Sequence, residues 1–521
     1  MAAATTTEEA PQEQPVGLII SAVAVTLLLA SLGQTIVSTA LPTIVGELGG
    51  IEHLTWVVTA YLLSSTIVAP IYGKLGDLYG RKIVLQAAIV IFLIGAVLSG
   101  IATSMTFLII ARGIQGLGGG GLIVVAMTIV ADIIPPRQRG KVQGLFAAVF
   151  GVATVVGPLL GGFLVEHFSW HWIFFLNVPL ALIALGVIAV ALKTRANKAQ
   201  HRIDYLGALL IAGSLSSLVL FTTMGGTTLP WLSAPIIGLV VLALVLGAAF
   251  IFVELRAAEP MLPMTLFANK TFTLASAILF ISGLAMFGAL TFLPLFMQTV
   301  TGISPTQSGL QMLPVMVGML GTSMISGQVM SRTGRYRWMP IAGAVALIVG
   351  LVLMATLTAE TSRILLAVYM FVFGVGLGFI NSVLVTAVQN AIPRTQMGAG
   401  TAGTTLFRQI GGSLGVSVFG AIFANGLASQ LGNAMPEGGA SSAFNAAAIA
   451  AMPEAMRETV LTAFSNALHP VFLVAAGAAL VAVILAWMMP ELPLANTLRR
   501  EPEAEIKSGE EAAAAAAGAP A

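Results

Sequence analysis

The sequence predicts an all-α polytopic membrane protein with fourteen transmembrane helices. Of its 521 residues, 57% are hydrophobic and only 8% are charged, whereas a soluble domain carries about 25% charged residues. Fourteen apolar runs also have close to the roughly 20 residues that a membrane-spanning helix needs. These runs lie near residues 16–41, 54–73, 83–103, 106–131, 142–165, 171–192, 205–224, 231–253, 271–297, 306–330, 338–358, 363–390, 398–425 and 468–489.

The lysines and arginines fit an even number of spans with both termini in the cytoplasm. Under that arrangement the cytoplasmic loops and tails hold 19 of the 23 basic residues, and an excess of Lys and Arg is typical of cytoplasmic loops. The outer loops hold only Arg363 and Arg457, while Arg112 and Arg408 fall inside predicted helices. The charge pattern therefore predicts a multi-pass protein of the cytoplasmic (inner) membrane, surrounded by the lipid bilayer.

Composition and motifs argue against several other classes of protein. A net charge of +2 gives no case for nucleic-acid binding, which needs a concentrated basic face. The chain has no cysteine, its histidines lack metal-like spacing, and no Gly-x-x-x-x-Gly-Lys-Ser/Thr nucleotide motif occurs. The first 15 residues hold three glutamates and no Lys or Arg, unlike a cleavable signal peptide. We expect a monomer that is not an enzyme, with no metal, no cofactor and no nucleic-acid partner.

One charged segment occurs twice in the chain. Gly327–Arg335 repeats the spacing of Gly73–Arg81, after the tenth predicted helix instead of the second. Internal repeats are typical of transporters whose site lies between two halves. The predicted organisation is a cytoplasmic N-terminal tail (1–15), a six-helix bundle (16–192), inserted helices 7 and 8 with their linkers (193–262), a second six-helix bundle (263–490) and a disordered cytoplasmic tail (491–521).

Residues 73–82 are predicted to form a charged cytoplasmic loop between the second and third helices. Glycines permit close backbone approach, and Asp77 suits a helix N-terminus, where the helix dipole favours an anion. The pattern closely resembles the helix 2–3 loop signature of the major facilitator superfamily. That resemblance implies a gate that locks two halves together on the cytoplasmic face, formed by Gly73, Gly76, Asp77, Gly80, Arg81 and Lys82. The second copy has Ser331 in place of the aspartate, so we expect a weaker lock there.

The fourth predicted helix contains an arginine. A cation at the bilayer centre costs roughly 2.5–3.5 kcal/mol or more, so Arg112 is expected to face the bundle interior. The alternative is that Arg112 lies near the outer interface and extends its charged head to water. Residues 112–120, which include Gln115, resemble the helix 4 signature of the same superfamily. In that family the arginine is implicated in proton coupling.

The fifth predicted helix is rich in glycine. Glycines at this spacing form a flat surface for close helix contact, and proline bends a helix. Packing alone is one explanation of the pattern. The pattern also resembles the signature that marks exporters within the superfamily, and it implies an antiporter. The residues concerned are Gly151, Gly157, Pro158, Gly161 and Gly162.

Further segments resemble one branch of that superfamily, the fourteen-helix drug:proton antiporters. They include Thr35–Val37, Ala40–Pro42, Trp170–Phe174 and Arg408–Ser413, and the resemblance runs from about residue 17 to 490. It implies a secondary active exporter of hydrophobic or amphiphilic compounds, working by alternating access with protons as the coupled ion. A lipid or metabolite exporter and a weakly coupled or uncoupled transporter on the same fold are the alternatives.

The sequence departs from that branch at one important position. The branch usually has an acidic residue on the first helix, two positions before the Thr-Ile-Val stretch, where this chain has Gly33. None of the 21 carboxylates falls in the middle third of a predicted helix. The first-ranked acidic candidates for proton coupling are therefore Asp132 and Glu166, which join Arg112 and Gln115. Each acid is alternatively a solvated residue at a helix end.

Polar residues inside the predicted helices are candidates for a substrate cavity, although helix packing would also explain them. Because Arg112 and Arg408 face no central anion, we expect a preference for neutral or anionic amphiphiles over quaternary cations. The alternative is that both arginines bond to backbone carbonyls and never contact substrate. The cavity candidates are Gln34, Ser38, Asn177, Gln298, Gln311, Asn381 and Arg408.

Overall fold

The computed structural model describes residues 16–48, 54–192, 204–225, 229–257, 260–303, 305–431 and 453–494. Within these ranges the chain is helical apart from short connections and one isolated β-bridge between Gly225 and Leu229. The α-helices are α1 (Val16–Thr35), α2 (Val37–Leu48), α3 (Leu54–Tyr79), α4 (Arg81–Gly100), α5 (Met105–Ile133), α6 (Pro136–His167), α7 (Trp172–Phe175), α8 (Asn177–Ala191), α9 (Tyr205–Met224), α10 (Ala234–Glu254), α11 (Thr265–Ala268), α12 (Lys270–Thr299), α13 (Pro305–Gln311), α14 (Leu313–Thr333), α15 (Trp338–Met354), α16 (Arg363–Ala391), α17 (Met397–Leu431) and α18 (Glu454–Trp487).

The described helices make the chain a multi-pass membrane protein. Twelve stretches are long and apolar enough to cross a membrane, and two of them combine neighbouring helices, α7 with α8 and α13 with α14. The other two predicted spans correspond to α15, a shorter apolar helix, and to α6, a helix of 32 residues. The prediction of an all-helical membrane fold is confirmed, and the count of fourteen spans stays a prediction.

The predicted loop at residues 73–82 is wrong for most of its length. Helix α3 continues to Tyr79 and α4 begins at Arg81, so Gly80 alone separates them. Gly80 has φ 89°, a conformation that residues with a Cβ rarely adopt. The apolar run ends at Gly73, but the helix persists because its polar side chains find partners at the end of the bundle. We call the end where residues 73–82 and 327–335 lie the charged end.

Other predicted boundaries also move. The first predicted helix is divided at Ile36 into α1 and α2, and the sixth into α7 and α8. Helix α6 begins at Pro136 instead of residue 142, because proline is well suited to the first turn of a helix. Hydropathy alone did not place these boundaries, since the added turns are polar.

Two predicted irregular segments are partly ordered. The outer loop expected near 426–466 is helical up to Leu431 and again from Glu454, while residues 432–452 lie outside the described residues. The tail expected to be disordered from residue 491 begins with a bound segment: the Leu492 N–H donates to the Tyr336 hydroxyl at 3.2 Å. Residues 1–15 and 495–521 lie outside the described residues.

The buried apolar side chains form two large cores. One core contains residues between Ile19 and Leu192, and the other contains mainly the helices after α10, joined by Ile211 and Leu215 of α9. Helix α5 is central to the first core because its glycines admit neighbouring backbones. A Cβ on Gly116 would stand 2.3 Å from the Tyr61 carbonyl oxygen, and one on Gly118 would stand 2.3 Å from the Phe92 nitrogen.

The inserted pair α9 and α10 contacts both sets of helices. Helix α9 packs against α3 and also against α17, where the Thr222 and Ser413 hydroxyls lie 2.7 Å apart. At the end of α10, the buried Glu254 carboxylate accepts hydrogen bonds from the Met261 and Leu262 N–H groups at 3.0 and 3.2 Å. These bonds hold the connection towards α12 in place.

Candidate functional site

Asp77 joins α3 to the start of α17 at the charged end. Its Oδ1 accepts from the Gly398 N–H at 3.0 Å and its Oδ2 from the Ala399 N–H at 3.1 Å. These N–H groups belong to the first turn of α17 and have no partner inside the helix. The aspartate therefore lies at a helix N-terminus, where the dipole favours its charge. This helix is α17, which begins more than 300 residues after Asp77 in the chain.

Arg81 extends this contact within the first core. It forms a short salt bridge with Asp77, and its Nε donates to Asp132 Oδ2 at 3.1 Å. A Cβ on Gly76 would stand 2.8 Å from the Arg81 guanidinium, so the glycine leaves room for that side chain. Lys82 donates to the Ala189 carbonyl at the end of α8, 2.7 Å away. The basic residues of the motif thus bind within residues 73–192, and Asp77 reaches across to α17.

The aspartate contact depends on close helix approach. A Cβ on Gly73 would stand 2.7 Å from the Gly398 carbonyl oxygen, and a Cβ on Gly398 would stand 2.2 Å from the Gly73 carbonyl oxygen. Both distances are too short for a real side chain. The α3 and α17 backbones therefore touch directly where Asp77 binds. We call this contact the aspartate seam.

A second contact joins α6 to α14. Arg137, in the first turn of α6, donates to the Ser331 carbonyl at 2.5 Å and to the Arg332 carbonyl at 2.6 Å. These carbonyls lie in the last turn of α14, where a cation complements the helix dipole. A Cβ on Gly140 would stand 2.6 Å from the Gly327 Cα. We call this contact the arginine seam.

Arg139 adds a buried cross-connection at the charged end. It is 2% exposed and donates to the Ile134 carbonyl at 2.9 Å and the Ala131 carbonyl at 2.5 Å. Its remaining guanidinium nitrogen donates to the Gln389 carbonyl at the end of α16, 3.2 Å away. Helix α5 contributes mainly to the first core and α16 to the second. Arg139 therefore joins helices of the two cores.

The glycine pattern of α6 is only partly explained by helix contact. A Cβ on Gly151 would stand 2.9 Å from Leu320 of α14, and Gly157 and Gly161 are buried. Gly162, by contrast, has open space where a Cβ would be, so the expectation of close contact is wrong there. Helix α6 continues through position 158, and the Pro158 side chain lies outside the described residues.

Arg112 is fully buried in the first core. It donates to the carbonyls of Gly33 at 3.0 Å and Val57 at 3.2 Å, and to Gln115 Oε1 at 2.6 Å. Its guanidinium carbon lies 4.4 Å from the centroid of the Tyr61 ring. The expectation that Arg112 faces the interior is therefore correct. One guanidinium nitrogen of Arg112 and the Gln115 amide nitrogen have no hydrogen-bond partner among the described residues.

Gly33 occupies the position where an acid was expected from the resemblance. A Cβ on Gly33 would stand 2.8 Å from Cζ of Phe92 and 3.6 Å from the Gln115 amide nitrogen. The Phe92 ring thus fills the space in which an acidic side chain would begin. Arg112 therefore binds the backbone carbonyl of Gly33, at the position where a carboxylate was expected.

The two acidic coupling candidates differ in their surroundings. The Asp132 side chain is 34% exposed and pairs with Arg81, which in turn binds Asp77 of the aspartate seam. Glu166 is exposed at the end of α6 away from the charged end, beside His167. The structure does not bring Glu166 near Arg112 or near a seam through any contact of the described residues.

Most cavity candidates have local structural partners. Asn177 is 2% exposed and donates to the Ile173 and Phe174 carbonyls at 3.2 Å, which stabilises the junction of α7 and α8. Gln298 donates to the Ser308 hydroxyl at 2.9 Å, and Asn381 to the Leu377 carbonyl at 3.0 Å. The structure therefore favours a packing role for these three residues.

The remaining cavity candidates differ from these. Gln311 is half-buried, and the side chains of Gln34 and Ser38 lie outside the described residues. Arg408, in the middle of α17, is half-buried, and no hydrogen bond or ion pair joins its guanidinium to the described part of the chain. Of the two intramembrane arginines, Arg408 is thus the one whose whole guanidinium has no partner in the described part of the chain.

Sequence reasoning missed the roles of Arg137 and Arg139, which it used only as part of the charge count. A signal was present: both follow Pro135 and Pro136 within four residues, and proline marks the start of a helix. Cations at that point extend from the first turn of α6 towards neighbouring helices. Their carbonyl partners are set by the tertiary fold and leave no mark in the sequence.

Comparison with known proteins gives a consistent result. The sequence profile of the Major Facilitator Superfamily matches residues 23–416. Rv1877 of Mycobacterium tuberculosis, described as an uncharacterized MFS-type transporter, is 44% identical over 408 residues, covering 78% of this chain and 59% of that protein. The chain thus matches less than two thirds of that relative's length. The multidrug transporter protein MdtP of Bacillus subtilis is 40% identical over 405 residues, covering 78% of this chain and 75% of that protein.

A solved structure shares the fold. The human organic anion transporter MFSD10 superposes with a TM-score of 0.62 at 14% identity, covering 91% of this chain and 100% of that one. At this level of identity the likeness concerns the arrangement of helices alone.

Proposed function

The chain belongs to the Major Facilitator Superfamily, and from this premise we propose that it is a secondary active exporter of hydrophobic or amphiphilic compounds. In the proposal it works by alternating access in the cytoplasmic membrane, with both termini in the cytoplasm and with proton antiport as the driving reaction. The transported compound, protons and the lipid bilayer are its partners. The two six-helix bundles and the inserted pair of the predicted organisation are the moving parts.

The aspartate seam is the observation that carries the proposal. It ties α3 to α17 by two hydrogen bonds from backbone N–H groups to one carboxylate. Such a contact is strong while the helix ends are together and is lost when they separate, as a gate requires. The arginine seam is a second contact of the same type. Together they support closure at the charged end and access from the opposite side.

The direction of transport is supported by relatives. MdtP, at 40% identity, is named a multidrug transporter, and FUS6 of Gibberella moniliformis, at 33% identity over 418 residues, is named an efflux pump. The relatives and the family are transporters, in agreement with the expectation that this chain is not an enzyme. Within the exporter pattern of α6, a Cβ on Gly151 would stand 2.9 Å from Leu320 of α14, which supports a role for this pattern in the contact between α6 and α14.

The charge preference of the substrate rests chiefly on Arg408. Arg112 bonds to two carbonyls, as in the alternative explanation for the intramembrane arginines, and is shielded from any ligand in this conformation. Arg408 is half-buried in α17 and keeps its donors unused by the described residues. A cation in a membrane interior is favourable only near an anion or a polar partner. We therefore assign a preference for neutral or anionic amphiphiles to the α17 side of the pathway.

The decisive experiment measures collapse of a pH gradient in everted membrane vesicles that contain the protein. Cationic, neutral and anionic amphiphiles are added in turn, with Arg112→Ala and Arg408→Gln as variants. The proposal expects collapse with neutral or anionic compounds, and loss of the response to anions in Arg408→Gln. Compound movement without collapse would overturn proton antiport. Collapse only with quaternary cations would overturn the charge preference.

A gain-of-function variant sharpens the coupling proposal. Gly33→Asp combined with Phe92→Leu makes room for a carboxylate beside Arg112 and Gln115. We expect this variant to move quaternary cations that the native chain moves poorly. Phe92→Leu alone is the matched control, and it should leave the substrate range unchanged.

A further inference from the structure

A lateral cavity opens at the arginine seam, and its lining is basic. The cavity has a volume of about 370 Å³ and is lined by Lys141, Met324, Gln328 and Arg332. Lys141 comes from α6, and the other three come from α14, so the cavity lies between helices of the two cores. Among the described residues, no carboxylate lines it. Two cations without an acidic neighbour in the lining favour an anionic ligand.

A neighbouring cavity provides an internal comparison. It has about the same size, about 350 Å³, and its lining includes Arg137 and Arg335 together with Glu491. There a carboxylate accompanies the cations, and Arg137 is already bound to carbonyls of α14. The cavity lined by Lys141 and Arg332 thus has the greater unbalanced positive charge.

The position of the cavity fits a lipid headgroup. Lys141 lies in the second turn of α6, and Arg332 lies one residue before the end of α14. Both side chains are exposed and stand where spanning helices end, which is the depth of phospholipid phosphates. The opposite face of α6 carries Arg139 and Gln143, both buried, so the face with Lys141 points outward.

An apolar stripe leads from the cavity towards the membrane centre. On α6 it consists of Leu145 and Val152, which are 45% and 53% exposed and follow Lys141 at helical spacing. On α14 it consists of Met324 and Val317, 48% and 57% exposed, beside Gly321, which has open space where a Cβ would be. The stripe offers a seat for an acyl chain directly below the cations.

We propose that this cavity binds an anionic phospholipid, with the phosphate between Lys141 and Arg332 and one acyl chain along the Leu145–Val152 and Val317–Met324 stripe. Because the two cations belong to α6 and α14, the bound lipid bridges the arginine seam. It stabilises the arrangement that is closed at the charged end. This site is independent of the transported compound.

Native mass spectrometry of the purified full chain tests the proposal. The probes are phosphatidylglycerol, phosphatidylcholine with the same acyl chains, and inorganic phosphate as competitor. With about 1 kcal/mol expected for each of the two basic residues near an anionic headgroup, phosphatidylglycerol should be retained about thirtyfold more than phosphatidylcholine. The Lys141→Gln/Arg332→Gln variant should lose this difference. The Arg256→Gln/Lys270→Gln variant, with the same charge loss at exposed positions of the same end, should keep it.

Two further results separate a lipid from a free anion. Met324→Trp fills the acyl seat but keeps both cations, and it should weaken retention of phosphatidylglycerol. Inorganic phosphate should not displace the lipid from the native chain. Equal retention of phosphatidylglycerol by the native chain and the Lys141→Gln/Arg332→Gln variant would overturn the proposal, as would displacement by inorganic phosphate.

Discussion

The two seams at the charged end each join a helix of the first core to a helix of the second, but they use opposite charges. In the aspartate seam, an anion on α3 binds N–H groups at the start of α17. In the arginine seam, a cation on α6 binds carbonyls at the end of α14. Both use the helix dipole in the favourable direction. In both, glycines bring the two backbones into contact.

The expectation of a weaker second lock stays a prediction, although the side chain on which it rested does not form the contact. Ser331 replaces the aspartate of the first copy, and its hydroxyl donates only to the Gln328 carbonyl of its own helix. The second seam does not depend on that side chain, because its charge comes from Arg137 on the opposite helix. The same spacing of residues thus accompanies two different contacts. A repeated motif predicts a contact at that place in the fold, but it does not predict which side supplies the charge.

The largest effect is expected from Asp77→Asn. The variant keeps the shape of the side chain but removes the charge that two N–H groups and Arg81 share. Hydrogen bonds to charged groups contribute about 1.5–3 kcal/mol, so the closed population should fall about tenfold or more. Initial transport rates in vesicles should fall with it. The control is Glu360→Gln, which removes an exposed carboxylate just before α16 begins, far from the seam. An equal loss of transport in both variants would contradict a specific role for Asp77.

Gly327→Ala should have the second-largest effect. The new Cβ would stand 2.2 Å from the Gly140 carbonyl oxygen, so α6 and α14 must separate. Overpacking of this kind costs about 1–3 kcal/mol, and the arginine seam should open while the aspartate seam stays closed. Gly162→Ala, on α6 but facing open space, should change neither seam. Normal transport by Gly327→Ala would show that close approach is unnecessary there.

Arg137→Gln should have a smaller effect than either. Arg137 is half-buried, and a cation at the C-terminus of a helix contributes about 1 kcal/mol at such a site, which corresponds to a change of about fivefold in the closed population. Arg335→Gln removes the same charge from an exposed position at the same end and should have no effect on the seam. A loss as large as that of Asp77→Asn would show that the two seams are equivalent.

Ser331→Asp should have the smallest effect on the closed population, and the direction of that change is informative. It restores the aspartate of the first copy beside Arg137, at an exposed helix end where an ion pair contributes about 0–1 kcal/mol. We expect a modest increase in the closed population, with Ser331→Ala unchanged. A decrease would indicate that the new carboxylate repels the carbonyl oxygens that Arg137 binds.

The sequence predicts the fold and the family well, because both depend on long apolar runs, charge placement and motif lettering. The motif also places Asp77 at a helix N-terminus, as its charge requires. It does not identify the helix, because the partner N–H groups belong to residues 398 and 399 and carry no side-chain signal. The loop predicted at 73–82 fails for a related reason, since hydropathy ends a helix at its first charged residues even where those residues find partners.

The polar residues inside the helices are the least predictable part of the candidate site. Asn177, Gln298 and Asn381 are the type of polar residue that lines a binding cavity. Each instead donates a hydrogen bond to a nearby carbonyl or hydroxyl. Arg112 likewise binds the Gly33 carbonyl where a carboxylate was expected. Whether a buried polar group is satisfied locally depends on distances of a few tenths of an ångström, which a sequence pattern does not contain.

Double electron–electron resonance across the aspartate seam tests the central claim most directly. The chain has no cysteine, so spin labels at Tyr79→Cys and Thr395→Cys, both exposed positions beside the seam, need no background mutations. We predict a short-distance population that shifts to longer distances when Asp77→Asn is added, and that stays in place when Glu360→Gln is added. An unchanged distance distribution with Asp77→Asn would contradict the assignment of this contact as the gate.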